Sequence, residues 1–241
     1  MSRAPWLALL LLAPHVAWAQ ALTIDLGSAG DAGATGRIVQ LTALVTVLSM
    51  APGLLVMMTA FTRIAIVLSL LRSALGTQGT PPNMVLIGLS LFLTYFVMQP
   101  VFEQSWIEGV QPLTEGRLGE IEGLRLAAEP FRGFMAANVR PDDLSFFQDL
   151  AHLPAAAEDP PAWRAVVPAF IVGELRRAFE MGFLLFLPFL VIDLVVGSVL
   201  MSLGMMMLPP NAVSLPFKLI FFVMVDGWRL VAGSLVRSFA G

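Results

Sequence analysis

Between Met181 and Phe217 the chain carries a single charged residue, Asp193, and between Ile38 and Thr62 it carries none. Uncharged apolar runs of that length do not suit a core surrounded by water. They match the roughly 20 apolar residues a helix needs to cross about 30 Å of hydrocarbon. Within a bilayer each backbone amide must be satisfied inside its own segment, and for separated runs of this kind that means helices. The sequence therefore predicts an all-α membrane protein. Composition agrees: 57% of the residues are hydrophobic and 13% charged, with a mean hydropathy of +0.81.

The same scarcity of polar residues excludes several functions. Lys218 is the only lysine and the net charge is −3, which offers no basic field for nucleic acid. Cysteine is absent, and His15 and His152 are the only histidines, so neither a metal site nor a cofactor is predicted. Gly197-Ser198 is not part of a G-x-S-x-G elbow, and no histidine lies in the apolar region to act as its base. A phosphate-binding G-x-x-x-x-G-K-[ST] motif is also missing, so no catalytic residue is predicted.

Residues 1–19 read as a signal peptide: Arg3, the apolar run Leu7 to Leu12, then Ala17-Trp18-Ala19 before Gln20. Residues 20–40 read as a tail outside the cytoplasm. A first helical hairpin is expected over 41–102, with a short helix from Leu41 to Met50, a break at Pro52-Gly53, and helices from Leu54 to Leu75 and from Met84 to Phe102. Its turn runs from Gly76 to Asn83 and contains Pro81 and Pro82. Residues 103–170 change character, with eleven acids against five arginines. Apolar residues there recur at helical spacing, as in Phe131, Phe134 and Met135, and Pro141-Asp142-Asp143 marks a helix start. This is a small extramembrane helical domain, and its acidity places it on the periplasmic side. A second hairpin is expected over 171–241, beginning near Pro168, with a turn at Gly204 to Asn211 containing Pro209 and Pro210 and a last helix from Val213 to Phe239. Both tips would face the cytoplasm.

Several motifs, in order, resemble the FliP family of flagellar type III export-gate proteins. They begin with Phe61-Thr62-Arg63-Ile64, Leu68-Ser69-Leu70-Leu71-Arg72 and Ala74-Leu75-Gly76-Thr77-Gln78. Pro188-Phe189-Leu190, Ile192-Asp193-Leu194-Val195-Val196, Leu203-Gly204-Met205-Met206-Met207 and Leu215-Pro216-Phe217-Lys218-Leu219 continue the match, ending at Val225-Asp226-Gly227-Trp228. The resemblance implies a pore subunit that passes flagellar proteins across the inner membrane at the flagellar basal body. Its expected partners are several copies of itself, FliQ-like and FliR-like membrane subunits, secreted flagellar substrates and membrane lipid. It also implies hairpins assembled into a conical complex, much of it lifted out of the bilayer plane.

Four ionisable residues, Arg63, Asp193, Lys218 and Asp226, fall in apolar helices, where an unpaired charge costs about 2.5–3.5 kcal/mol on insertion scales. Structural pairing is the expectation, with a proton or ion path as the alternative. The resemblance points to Glu174 and Lys218 as an inter-subunit pair. Met205-Met206-Met207 stands in an uncharged turn between Gly204 and Pro209. On the residues alone it reads as a packed or lipid-facing tip as readily as a pore element. The resemblance turns it into a gasket, which suits methionine's flexible, polarizable side chain. Ser90/Thr94 and Ser198/Ser202 have the spacing that lets helices approach closely, and Phe183, Phe186 and Phe189 read as packing residues. The rival function is an ion-coupled secondary transporter using Asp193 and Lys218.

Overall fold

The computed structural model describes residues 56–77, 79–153, 160–205 and 207–239, with positions 42, 45, 46, 49, 50 and 52–54. The expected signal peptide and tail lie outside the described residues. The chain divides into two compact units, Met1–Met50 and Ala51–Gly241. The described positions of the first, at 42, 45, 46, 49 and 50, are helical.

In the second unit, α1 is Phe61–Leu75, α2 Asn83–Ser105, α3 Gln111–Thr114, α4 Glu120–Asn138, α5 Pro141–Leu150, α6 Trp163–Ser202, α7 Pro210–Met224 and α8 Gly227–Arg237. A π-helical turn, Trp106–Val110, joins α2 to α3. No strand occurs among the described residues. The helices α2 with its extension to Thr114, and α6, are long and apolar enough to cross a membrane, while α7 and α8 form a pair bent by 63°.

The core is organised around α1. Ile64, Val67, Leu68, Leu71, Ala74 and Leu75 are buried on it, at the spacing that lines up one helical face. Leu86, Leu93 and Met98 of α2, Phe189 of α6, Phe222 of α7, and Val231 and Leu235 of α8 complete one cluster. Gly182 of α6 lies directly against Leu70: a Cβ there would stand 2.2 Å from Leu70 Cδ1. Arg63 meets Glu174 and Leu70 meets Gly182, so α1 and α6 run parallel.

Four expectations about helix limits change. Pro52-Gly53 is helical, and the break before α1 falls at 58–60 instead. There the Thr59 hydroxyl donates to the Val56 carbonyl at 3.3 Å and accepts from the Phe61 N–H at 3.4 Å, replacing backbone bonds. This leaves α1 with 15 residues, about 22 Å, short of a full span. The boundary expected at 170 falls inside α6, a continuous helix of 40 residues that contains both Pro168 and Pro188. At 1.5 Å per residue α6 is about 60 Å long, twice the hydrocarbon thickness. The single helix expected from 213 to 239 is broken at Val225-Asp226. Asp226 takes a left-handed φ of 52°, and Trp228 packs edge-on against Phe222 at 5.3 Å.

The π-helical turn anchors α4. Ser105 Oγ donates to the Ala127 carbonyl at 2.6 Å, and Gly109 touches the backbone of α4. A Cβ on Gly109 would lie 2.3 Å from Ala127 N, so only glycine fits. Beyond α3, Glu115 accepts from Gln111 Nε2 at 3.0 Å and pairs with Arg117. These contacts, Gln111 first, hold the Glu115 carboxyl below the usual carboxylate range. The acid-led start of α5 matches its sequence signature, with Pro141 in the first turn beside Asp142 and Asp143. Because backbone is the obstacle at Gly109, Gly109→Ala should destabilise the protein by about 1–3 kcal/mol. Thermal unfolding of the detergent-purified protein checks this, and an unchanged midpoint would show the contact to be loose.

Candidate functional site

Arg63 projects from the buried stripe of α1 and is 1% exposed, as is Glu174 opposite it on α6. Arg63 Nε donates to Glu174 Oε2 at 2.8 Å and Nη2 donates to Oε1, a two-pronged pair. Arg63 Nη1 donates to the Ser238 carbonyl at 3.0 Å and to Ser238 Oγ at 2.8 Å. Phe239 covers the guanidinium, its ring centroid 3.6 Å from Cζ, and stacks in turn on Phe134. Arg177 adds a second cation 3.8 Å from Glu174 Oε1. Burying such a pair is tolerated because its remaining hydrogen-bonding groups are also met. One arginine thus binds α1, α6 and the end of α8 together.

A second pair closes the other end of α1. Lys218 Nζ donates to Asp193 Oδ2 at 2.7 Å and to the Ala74 carbonyl at 3.1 Å. Ser214 Oγ donates to Asp193 Oδ1, one helical turn before Lys218 on α7. The α1 helix ends at Gly76, whose φ is 72°, so the ammonium sits against the negative end of its dipole. Asp193, Ser214 and Lys218 therefore tie α6 to α7 and both to α1.

Glu174 and Lys218, expected to pair between subunits, each have a partner within the chain: Arg63 for Glu174 and Asp193 for Lys218. Asp226 is not deep in an apolar helix. It is exposed at the break between α7 and α8, with Arg229 at 3.8 Å. Sequence reading missed Ser238, Phe239 and Ser214. Only Ser214 carried a usable signal, a hydroxyl four residues before a lone lysine on the same helix face. It also missed Asp143 of α5, whose Oδ2 is buried without a hydrogen bond while Arg176 stands 3.4 Å from Oδ1.

Beyond the second pair the α6–α7 hairpin projects as a tip. From Asp193 to Ser202 is about 14 Å of helix, and no charged residue lies between Leu194 and Phe217. The helix stops at Gly204, φ 73°: the Gly204 N–H donates to the Met201 carbonyl and the Met205 N–H to the Leu200 carbonyl, at 3.1 and 3.0 Å. Pro209 and Pro210 then start α7. Met205 and Met207 stand exposed between these fixed points, and Met206 lies outside the described residues. An apolar groove of about 470 Å³, lined by Val195, Val199, Val213 and Phe217 among others, separates the two arms.

The remaining expected residues are divided. The first turn is fixed by Arg72, which donates from Nη1 to the Pro81 carbonyl at 3.3 Å and to Asn83 Oδ1, while Pro82 immediately precedes α2. Ser90 and Thr94 are buried, with hydroxyls returned to carbonyls of their own helix, whereas Ser198 and Ser202 are exposed. Phe189 is in the core, Phe186 is partly buried, and Phe183 faces outward. Among the described residues no group of three or more acids or histidines is placed to hold a metal ion.

Removing one member of the α1–α6 pair should leave an uncompensated buried charge, at about 3–5 kcal/mol. Arg63→Ala and Glu174→Ala should each lower the unfolding midpoint, and the double variant should lose less than the two losses added. A thermal-unfolding double-mutant cycle checks this, and strict additivity would contradict the pairing.

The FliP family model matches residues 44–235, which include both ion pairs and the methionine turn. The chain is 57% identical over 230 residues to the flagellar biosynthetic protein FliP of Caulobacter vibrioides, covering 94% of this chain and 85% of that protein. Against the protein of the same name from Agrobacterium fabrum it is 47% identical over 237 residues, 97% of each. The Bacillus subtilis protein of that name is 49% identical over 218 residues, 90% of this chain and 98% of the relative. With its paired helical hairpins, this all-helical membrane chain belongs to the FliP family.

Proposed function

We propose that the chain is a pore-forming subunit of the flagellar protein export gate in the cell inner membrane, passing unfolded flagellar substrates outward. The observation that carries this reading is the uncharged methionine tip, held out beyond a pair of arms locked by Asp193, Ser214 and Lys218. Methionine fills irregular space and repacks readily. A ring of such tips closes around nothing when idle and yields to cargo of any side-chain composition. The chain supplies one tip, so the ring requires several copies.

The outer faces support assembly. Leu91, Phe92, Tyr95 and Phe96 on α2, and Phe183, Leu187, Val191 and Leu194 on α6, are exposed. Because α6 is about twice as long as the hydrocarbon is thick, part of that surface stands clear of lipid and needs protein to cover it. Further copies of this chain and FliQ-like and FliR-like subunits are the partners this reading assigns. It keeps the acidic helices α4 and α5 on the periplasmic side. An ion-coupled transporter is less well supported, because Lys218 is held at once by Asp193 and by the Ala74 carbonyl at the end of α1.

Replacing Met205, Met206 and Met207 together by glycine should raise ion leakage several-fold in cells whose complex still assembles at normal composition. Leakage unchanged from the parent would remove the sealing role.

A further inference from the structure

The hairpin tip carries the most exposed methionine among the described residues, Met207. The chain has thirteen methionines and no cysteine, so thioether is its only form of sulfur. Three of the thirteen are consecutive in the turn. Met207 is 98% exposed, more than Met224 at 80% or Met84 at 79%, Met205 is 44% exposed, and both tip residues stand outside any helix between Gly204 and Pro209. Met98 and Met135, by contrast, are fully buried in the core. Oxidation of methionine depends on access to the sulfur, and it converts a flexible apolar side chain into a polar, chiral one.

We infer that the tip is a reversible oxidation site: hydrogen peroxide converts Met207 and Met205 to the sulfoxide, and the sulfoxides loosen the closed pore. In this step the thioether sulfur gives up two electrons and bonds to one peroxide oxygen. The O–O bond breaks, and the second oxygen leaves as water. The new S–O group is a hydrogen-bond acceptor in a stretch, Leu194 to Phe217, with no charged residue. In a ring of such tips the acceptors draw in water as their donor, and a seal that worked by excluding water becomes hydrated. Sulfoxide reductases reverse the change, so the leak should be transient. The inference rests on reading the turn as the seal.

The test uses membranes carrying the assembled complex, treated with hydrogen peroxide and then with methionine sulfoxide reductases. Peptide mass spectrometry locates the added oxygen, and ion leakage is read at each stage. The expected result is sulfoxide at Met207 ahead of Met98 and Met135, a several-fold rise in leakage, and its return after reduction. A Met205→Leu, Met206→Leu, Met207→Leu variant keeps the apolar bulk without sulfur and should stay tight under peroxide. Met207→Leu alone gives a smaller version of the same result should the triple variant fail to assemble. Oxidation that spares the tip, or tip sulfoxide with unchanged leakage, would overturn the inference, as would a leucine variant that leaks equally after peroxide. If a glycine-substituted tip leaks without oxidant while the oxidised tip does not, the seal stands and only this inference fails. If neither leaks, the seal itself fails.

Discussion

The buried pair between Arg63 and Glu174 constrains everything around it. Two charges 1% exposed are tolerable only if each is matched and its remaining donors and acceptors are used. Meeting that condition takes three helices: α1 supplies the guanidinium, α6 the carboxylate, and the end of α8 a carbonyl, a hydroxyl and an aromatic lid. The bend at Val225-Asp226 follows from the same need. A straight continuation of α7 would carry Ser238 and Phe239 away from Arg63. The Asp193–Lys218 pair repeats the logic at the far end of α1 and fixes where the α6–α7 arms separate.

Once these charges are settled inside the chain, what remains on the outside of α2 before Glu103 and of α6 after Glu180 is almost wholly apolar. Within lipid, such faces gain little from meeting one another, so close approach depends on small residues and shape. Gly182 against Leu70 shows that device within the chain. Beyond the lipid the same faces are unfavourable in water and favour assembly. A helix of about 60 Å belongs to both regimes at once. The charged centre makes each chain self-sufficient electrostatically, and the apolar surface makes it incomplete otherwise.

Much of this was legible from residue order. The uncharged runs fixed the helical membrane class, and Gly76 and Gly204 marked the helix ends where a left-handed residue was needed. Pro141 with its two acids marked a helix start, and the places of Arg63, Asp193 and Lys218 in apolar runs marked them as needing partners. What was not legible depends on contacts between distant segments. The partners of Glu174 and Lys218 depend on how α1 lies beside α6, and periodicity does not report that. Pro168 looked like a helix start, yet Val166 and Phe170 bury against Met135 and carry the helix through it. Thr59 and Asp226 broke helices by local hydrogen bonding and a left-handed backbone, neither of which hydropathy registers.

The central claim is that the chain closes its two buried ion pairs internally and leaves its apolar surface open, so that the proposed conduit exists only between chains. The mass of the complex purified in mild detergent tests this most directly. A large particle holding several copies of this protein with other membrane subunits is the predicted result. A lone chain that, once reconstituted, moves a small solute in fixed ratio with an ion would contradict it.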